Sequence, residues 1–524
     1  MAWRHFVARP IDSLTRVLAL GFAVYVVVYP FWVVTYPPMT DMPFHAAAMS
    51  ILRNYWNPNW HFQEQFTLHL WSAPYVSFYV LGALLSLLFP VSVAAKIAAA
   101  VMLSLLPLGL GVLFAGMKKS PLWGLLGLGL VWSNLTHWGF LNFMGAVGLF
   151  AACVGFTLMV VDRPTPKRHV LLAVSLLAVF FTHIYRFPFA VLAVVATAVV
   201  MYPATKRLRV IVMPLLPSVI VFAAWRLFRE AAFESTSVGP LSFDASRLDA
   251  AKIEEHLCHG FQYEAGEEEH RLFVQMGIVL LVLAVSATVA FFASGRARRR
   301  SPRERRWGIG VTTLPLLLAG GFVLAYFVLP MSMGNWWYVY PREITPALFI
   351  ALGALPDMPR APPIKLAFVV AIGLATARVG YFVAEQYDEF EDVTASFREI
   401  APLVKPAPKL LYLVYEHTGG SRSHSPFVHL PAWVQAIKGG WLSFNFVSWQ
   451  FSPIRYREGG VVPPPVPDRW EWEPEKFDVR KHGAWFDEFL VRDATDPGWR
   501  FRDDPSIELV SHRGAWWLYR RVQE

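Results

Sequence analysis

The residues of this chain best suited to chemistry are Asp41 and His45, within the segment Asp41-Met42-Pro43-Phe44-His45 that follows the first apolar run. That run, Val17 to Thr35, is long enough to cross a bilayer. Ionisable side chains at a membrane boundary are costly unless they pair, coordinate or react. On a helix the two residues would share one face. Asp41 could act there as a general base, hold a divalent cation (Mg or Mn) together with His45, or only cap a short helix.

Four further polar candidates lie at two short turns between apolar runs. His137 and Asn142 flank the first turn, where Gly139 alone could account for the chain reversal. His183 and Arg186 bracket the second turn. An arginine on this side runs against the charge bias of the other turns, which favours an anionic ligand, although lipid headgroups would serve equally well.

Arg342 stands at the start of a late apolar run, after the aromatic segment that ends in Tyr340-Pro341. Aromatic density alone is typical of an interfacial belt. The planar guanidinium fork, however, suits the oxygens of a phosphate. The structural alternative is an ion pair of Arg342 with Glu343 or with Asp41.

Composition places these residues in a membrane protein. The chain has 524 residues, of which 55% are hydrophobic and only 16% charged, and its mean hydropathy is +0.40. A soluble protein carries about a quarter charged residues. The net charge of +9 comes from Lys and Arg clustered at the ends of apolar runs, which indicates topology and excludes nucleic-acid binding. Cys153 and Cys258 form no zinc or disulfide motif.

Charge also predicts the topology. The basic N-terminus followed by Val17–Thr35 is typical of an uncleaved signal anchor with a cytoplasmic N-terminus. With that N-terminus, the later basic clusters all fall on the cytoplasmic side only if Pro74–Phe89 does not cross the bilayer; an N-terminus on the other side would place those clusters equally well. We therefore expect a polytopic α-helical membrane protein with about 11 transmembrane helices plus a re-entrant or interfacial segment at 74–89.

On this topology the polar segments gather on the extracytoplasmic face. They are a first external loop at 36–73, a second long external loop at 229–271, the short turns, and a C-terminal tail. The sequence divides into a transmembrane domain, 1–384, and a soluble extracytoplasmic domain of α/β or α+β class, 385–524. Within the tail, Tyr387–Ile400 has helical character, and alternation predicts strands, at Leu410–Val414, Glu488–Val491, Ser506–Val510 and Trp516–Tyr519. The tail histidines, among them His424 and His429, are expected to be solvated.

This arrangement resembles the GT-C superfamily of integral-membrane glycosyltransferases. The resemblance rests on the segments Thr40–Ala46, Ala73–Tyr79, Gly139–Gly145, Phe181–His183 and Tyr340–Arg342, together with the tail. It implies a polyprenyl-phosphate sugar donor, Asp41 as general base, and Arg342, or second Arg186, at the donor phosphate. His45, His137, Asn142 and His183 are candidates for contacting substrate or metal. Many members carry two adjacent acids in this loop, whereas Met42 follows Asp41 here.

The sequence thus predicts an enzyme of a bacterial inner (plasma) membrane that transfers a sugar from a lipid-linked donor to a lipid, glycan or protein acceptor. An external transferase needs a donor that arrives in the lipid, because nucleotide sugars are cytoplasmic. Two alternatives use the same polar cluster without chemistry: a transporter or flippase of lipid-linked intermediates, and a non-catalytic envelope scaffold.

Overall fold

The computed structural model describes residues 2–71, 74–228, 241–294, 301–334, 336–448, 453–467 and 469–522. Residues 229–240 of the predicted second external loop lie outside this range. The described chain is mostly helical. Its α-helices are α1 Ala2–Trp32, α2 Met42–Asn54, α3 Phe62–Gln65, α4 Ser77–Leu85, α5 Val91–Gly116, α6 Asn134–Trp138, α7 Leu141–Asp162, α8 Pro166–Thr182, α9 Arg186–Thr205, α10 Val212–Phe228, α11 Ala250–Leu257, α12 Tyr263–Ala293, α13 Pro302–Val328, α14 Ile344–Ala351, α15 Pro362–Val393, α16 Ala395–Ile400, α17 Ala432–Lys438 and α18 Val479–His482.

The polytopic membrane class is confirmed. In the described part of the chain, eight helices are long and apolar enough to cross a membrane: α1 from Pro10, α5, α7, α9, α10 with the turn before it, α12, α13 and α15. About eleven spans are expected from the sequence. The other three apolar runs form helices too short to meet the same criterion, which accounts for the difference between eleven and eight. They are a 3-10 helix at Pro121–Leu130, α8 with 17 residues, and α14 with the turn that follows it.

The segment predicted not to cross contains α4, a helix of nine residues. Nine helical residues rise only about 14 Å, less than half of a hydrocarbon core. The helix packs against α2 and α5 and is followed by turns at Ser86 to Phe89. Its length therefore agrees with a re-entrant or interfacial segment.

The membrane core is built on a close approach of α5 and α7. A Cβ atom added to Gly148 would lie 2.1 Å from the carbonyl oxygen of Leu105, and one added to Gly109 would lie 1.9 Å from that of Gly148. Gly116 and Gly155 meet in the same way one heptad along. Small residues at matching positions let two backbones touch, which is how helices gain packing energy inside a bilayer.

The C-terminal region contains a five-stranded sheet. Its strands are β2 Lys409–Val414, β3 Trp441–Leu442, β5 Glu488–Arg492, β6 Ile507–Arg513 and β7 Trp516–Arg521, and all four strands predicted from the sequence are present. The order is β3-β2-β5-β7-β6, with the first three parallel and the last two antiparallel. Leu410 and Tyr412 of β2 pack toward the membrane-helix core, and Leu411 and Leu413 pack into a separate C-terminal core. The central strands β2 and β5 are thus buried on both faces, as their continuous apolar sequences require, whereas the edge strand β6 is largely exposed.

The C-terminal region is joined to the segment that carries Asp41. Strand β1, Phe66–Leu68 of the first loop, pairs antiparallel with β4, Ile454–Tyr456. The rings of Tyr36 and Trp433 pack with centroids 5.0 Å apart, and His424 lies between the carbonyl oxygens of Pro38 and Gly260. Helix α15 runs unbroken through the predicted boundary at 384 to 385. That division of the chain into two domains stays a prediction.

We expect the replacement Gly148→Ala to destabilise the protein by about 1–3 kcal/mol, because the added methyl group would collide with the backbone of α5. The matched control is Gly320→Ala in α13, where a Cβ would meet nothing within 4 Å. That change should be neutral or stabilising by up to about 1 kcal/mol. Thermal unfolding of the detergent-purified proteins measures both, and equal midpoints for the two variants would contradict this packing.

Candidate active site

The backbone around Asp41 is fixed by the turn that follows α6. The amide of Asp41 donates to the carbonyl of Trp138 at 3.2 Å, and the amide of Thr40 donates to that of His137 at 3.0 Å. Gly139 has φ +95°, and a Cβ there would lie 2.8 Å from the Cβ of Asp41. Glycine is therefore required both by the conformation and by the space. Asp41 occupies the N-cap position of α2, but its side chain makes no capping hydrogen bond. The carboxylate is available for another purpose.

The partner of the Asp41 carboxylate comes from the C-terminal region. His429 Nδ1 lies 3.3 Å from Asp41 Oδ1 and 3.1 Å from the carbonyl oxygen of Thr40. The histidine side chain is only 3% exposed, whereas that of Asp41 is 17% exposed. The ring of His429 packs against Phe44 and Phe446, with centroids 4.7 and 5.1 Å away. Its Nδ1–H donates to the Thr40 carbonyl, and the ring thus lies against a carboxylate that remains open to a substrate.

The expectation that the tail histidines are solvated was wrong for His424 and His429, which are both buried. The sequence offered no spacing that would reveal this contact, because Thr40 and His429 are 389 residues apart. The physical reason for the burial is that residues 424–429 pack on the Pro38–Asp41 segment. Ser425 also donates its amide to the hydroxyl of Thr40 at 3.3 Å.

His45 is buried beneath Asp41 and uses both ring nitrogens. Its Nε2 lies 3.0 Å from the carbonyl oxygen of Gly139, and its Nδ1 lies 3.1 Å from the hydroxyl of Tyr79. Because a carbonyl oxygen only accepts, Nε2 carries the proton and Tyr79 donates to Nδ1. Burial lowers the pKa of His45, which agrees with a neutral ring. His45 therefore supports the Gly139 turn and has no lone pair left for a metal.

A divalent cation stays a prediction. Among the described residues, no three His, Cys, Asp or Glu side chains come together in a way that could hold a metal ion.

Arg342 lies in the turn before α14, next to the Asp41 site. Its Nη2 donates to the carbonyl of Trp337 at 2.7 Å, and its guanidinium stacks 3.9 Å from the ring centre of Phe140. Burial lowers the pKa of Arg342, while the neighbouring Asp41 carboxylate acts in the opposite direction. Within the described chain, its Nε is buried with no hydrogen-bond partner, and no carboxylate forms an ion pair with it. Arg342 thus presents an uncompensated positive charge.

Arg186, by contrast, is compensated. Its Nη1 and Nη2 donate to the two carboxylate oxygens of Glu343 at 2.7 and 2.5 Å, and both side chains are 0% exposed. The guanidinium also stacks on Phe143, 4.5 Å from the ring centre. The expected alternative of an Arg342–Glu343 pair is therefore not what forms. Arg186 as a phosphate ligand stays a prediction, and it would have to share its charge with Glu343.

The remaining candidates are buried around this centre. His183 Nε2 lies 2.9 Å from the hydroxyl of Tyr75, and burial together with the Arg342 and Arg186 charges lowers the pKa of His183. Asn142 is buried in the first turn of α7. His137 packs on His424 at a centroid distance of 5.2 Å and on Phe261 at 5.0 Å, away from the Asp41 carboxylate. The structure therefore brings together Asp41, His45, Arg342 and His183, and gives His137 a different set of neighbours.

An apolar cavity of about 170 Å³ lies between the Pro121–Leu130 segment and helices α12, α14 and α15. Leu130, Met276, Leu348 and Val383 are among the residues that line it. Helix α14, which begins directly after Glu343, connects this cavity to the arginine site. A hydrocarbon chain fits such a lining better than a polar ligand does.

The fold and site together define a polytopic membrane protein whose loops assemble one polar centre beside an apolar cavity. No protein-family model matches the chain, and no curated protein sequence matches it.

Among solved structures, the chain is similar to ArnT from Cupriavidus metallidurans bound to undecaprenyl phosphate, with 14% identity, a TM-score of 0.56, and coverage of 97% of this chain and 98% of that one. The apo state of the same ArnT gives 14% identity, a TM-score of 0.55 and coverage of 98% of both chains. The mycobacterial arabinofuranosyltransferase AftD gives 13% identity and a TM-score of 0.46, with coverage of 97% of this chain and 40% of that one. The two ArnT structures thus confirm the fold that the resemblance implied.

Replacing Glu343 by Gln should cost about 3–5 kcal/mol of stability, because the buried guanidinium of Arg186 would lose its counter-charge. The control is Glu399→Gln, which removes an exposed partner 3.7 Å from Arg513 and should cost at most about 1 kcal/mol. Thermal unfolding compares the two. A midpoint of Glu343→Gln equal to that of the wild type would contradict the structural role of this pair and favour Arg186 as a phosphate ligand.

Proposed function

We propose that this protein is a membrane glycosyltransferase that moves a sugar from a polyprenyl-phosphate donor to an acceptor hydroxyl at the extracytoplasmic face. One observation carries the proposal. A partly open carboxylate, Asp41, and an uncompensated guanidinium, Arg342, lie within electrostatic range of each other on the fold that ArnT adopts. A carboxylate can take the proton of an acceptor hydroxyl, and a guanidinium can bind the phosphate of the donor.

The two groups have complementary roles in a single displacement. Arg342 would hold the donor phosphate through Nε and its free Nη positions, the geometry that a planar guanidinium offers to phosphate oxygens. Asp41 takes the proton of the acceptor hydroxyl while that oxygen forms a bond to the anomeric carbon. The bond from the anomeric carbon to the phosphate oxygen breaks, and its electron pair leaves with the phosphate. The configuration at the anomeric carbon is inverted.

The surrounding residues would prepare these groups for that step. The Nδ1–H of His429 is hydrogen-bonded to the carbonyl of Thr40, and the same nitrogen lies 3.3 Å from Asp41 Oδ1, so the ring would restrict the rotamer of the carboxylate. Phe140 and Trp337 hold the guanidinium of Arg342 in place. The cavity beneath α14 would take part of the isoprenoid chain of the donor. Preorganisation of this kind is how a fixed site lowers a barrier.

The proposal is tested with purified full-length wild type, Asp41→Asn and Arg342→Ala, by measuring binding of polyprenyl phosphate and turnover of polyprenyl-phosphate-linked sugars. Arg342→Ala should bind polyprenyl phosphate about 10–100-fold more weakly, because a charge-assisted pair is lost. Asp41→Asn should bind as the wild type does and lose transfer by about 100-fold or more.

The control for Arg342 is Arg378→Ala, an exposed arginine on α15. It should bind and turn over as the wild type does. Undiminished turnover by Asp41→Asn would rule out Asp41 as the base, and unchanged binding by Arg342→Ala would rule out Arg342 as the phosphate ligand.

A second test separates orientation by His429 from simple packing. Asparagine can place its amide N–H where Nδ1–H lies, whereas glutamine places its amide near the position of Nε2. We expect His429→Asn to keep most of kcat, and His429→Gln and His429→Ala to lose about 10-fold or more with little change in KM. Three variants with equal kcat would show that His429 does not act through Asp41.

A further inference from the structure

Three tryptophans from three separate parts of the chain form one aromatic surface beside the candidate site. Trp138 ends α6, Trp337 precedes the turn that carries Arg342, and Trp472 belongs to the C-terminal region. The ring of Trp138 lies 5.3 Å from that of Trp337 and 6.4 Å from that of Trp472, between ring centroids. The side chain of Trp337 is 46% exposed, and the other two are half-buried. We refer to these residues as the tryptophan surface.

Each tryptophan is one contact away from a group of the candidate site. The carbonyl of Trp138 accepts from the amide of Asp41 at 3.2 Å, and that of Trp337 accepts from Arg342 at 2.7 Å. The ring of Trp472 lies 6.2 Å from that of His429, which contacts Asp41. A ligand resting on this surface would therefore lie next to the Asp41 carboxylate.

An exposed aromatic surface is costly in water and marks a contact site when it adjoins a polar centre. A belt at the lipid interface would explain Trp138 and Trp337, but Trp472 lies in a turn of the C-terminal region. That turn also carries Glu471, with Glu473 and Glu475 close behind in the sequence. Glu473 pairs with Arg469 and Lys476, so the segment carries no excess of positive charge that would attract the anionic headgroups of a membrane surface.

A ligand of the tryptophan surface must then combine a flat apolar face, which suits indole rings, with a hydroxyl that can reach Asp41. A sugar ring has both: axial C–H groups form an apolar face, and hydroxyls project from its edge. Indole rings offer large, rigid contact area with few rotatable bonds, which favours binding of such a ring. The donor phosphate is directed to Arg342 beside Trp337, whereas Trp472 lies beside His429 on the Asp41 side of the surface, where an acceptor hydroxyl is needed.

We propose that the tryptophan surface binds a saccharide acceptor and presents one of its hydroxyls to Asp41. This inference rests on the proposed transferase function and adds to it the class of acceptor: a glycan, in place of a protein side chain or a simple lipid alcohol. Trp472 makes the C-terminal region part of acceptor recognition.

The test is saturation-transfer NMR on full-length protein in nanodiscs with three soluble probes: methyl mannopyranoside, methyl galactopyranoside and methyl arabinofuranoside. The variants are Trp472→Ala and the conservative Trp472→Phe, and the control is Trp499→Ala, an exposed tryptophan elsewhere in the C-terminal region. We expect at least one probe to bind the wild type. Its affinity should fall about 10-fold in Trp472→Ala, be largely retained in Trp472→Phe, and be unchanged in Trp499→Ala.

Binding of polyprenyl phosphate, measured on the same samples, separates this inference from the proposed function. It should be equal in all four proteins. If the saccharide signal depends on Trp472 while no variant or wild type binds polyprenyl phosphate, the saccharide site is supported and the transferase proposal fails. If polyprenyl phosphate binds but the saccharide signal is absent, or is the same in Trp472→Ala, the inference is overturned and the transferase proposal stands. The fluorescence of Trp472 is the difference between the emission of the wild type and that of Trp472→Phe. If brominated lipid quenches this difference, Trp472 faces the membrane and the inference is also overturned.

Discussion

The buried ion pair between Arg186 and Glu343 determines how the rest of the site works. Two arginines, Arg186 and Arg342, lie close together around Phe143, and a buried cation without a counter-charge is unstable. Glu343 accepts from Nη1 and Nη2 of Arg186 with its two oxygens and supplies the counter-charge. It also joins the start of α9 to the turn before α14, and so fixes where Arg342 stands. Of these two arginines, Arg342 has no carboxylate partner in the described chain. We therefore place the donor phosphate at Arg342.

The second constraint is that the site is completed from the far end of the chain. The Pro38–Asp41 segment donates backbone hydrogen bonds to the end of α6 on one side and contacts residues 424–429 on the other. Strand pairing between β1 and β4 holds the same two regions together at a second place. Such long-range contacts carry an entropy cost, because a long loop must close before any contact is gained. The geometry at Asp41 therefore depends on the docked C-terminal region.

Much of this architecture could be read from the sequence, because it depends on local patterns. Apolar run length predicted the membrane class, the parity of basic clusters singled out the α4 segment, and alternation predicted four strands of the C-terminal sheet. The segment Pro121–Leu130 departed from expectation because its glycines let it pack on α5 as a 3-10 helix. Asp41 and Arg342 could be named from residue type and position. His429 could not be named, because no pattern in a single sequence encodes a contact between residues so far apart. Nor could the sequence show that Glu343 pairs with Arg186 and not with Arg342, because that depends on how the helices pack.

A structure of the protein with polyprenyl phosphate bound would show directly whether Arg342 holds the phosphate. We expect phosphate oxygens about 2.7–2.9 Å from the guanidinium of Arg342, with Nε of Arg342 newly paired. We also expect the Arg186–Glu343 pair to be intact and the Asp41 carboxylate to face the space beside the phosphate. A phosphate bound to Arg186 with Glu343 displaced, or one bound away from Asp41 altogether, would contradict the proposed donor site.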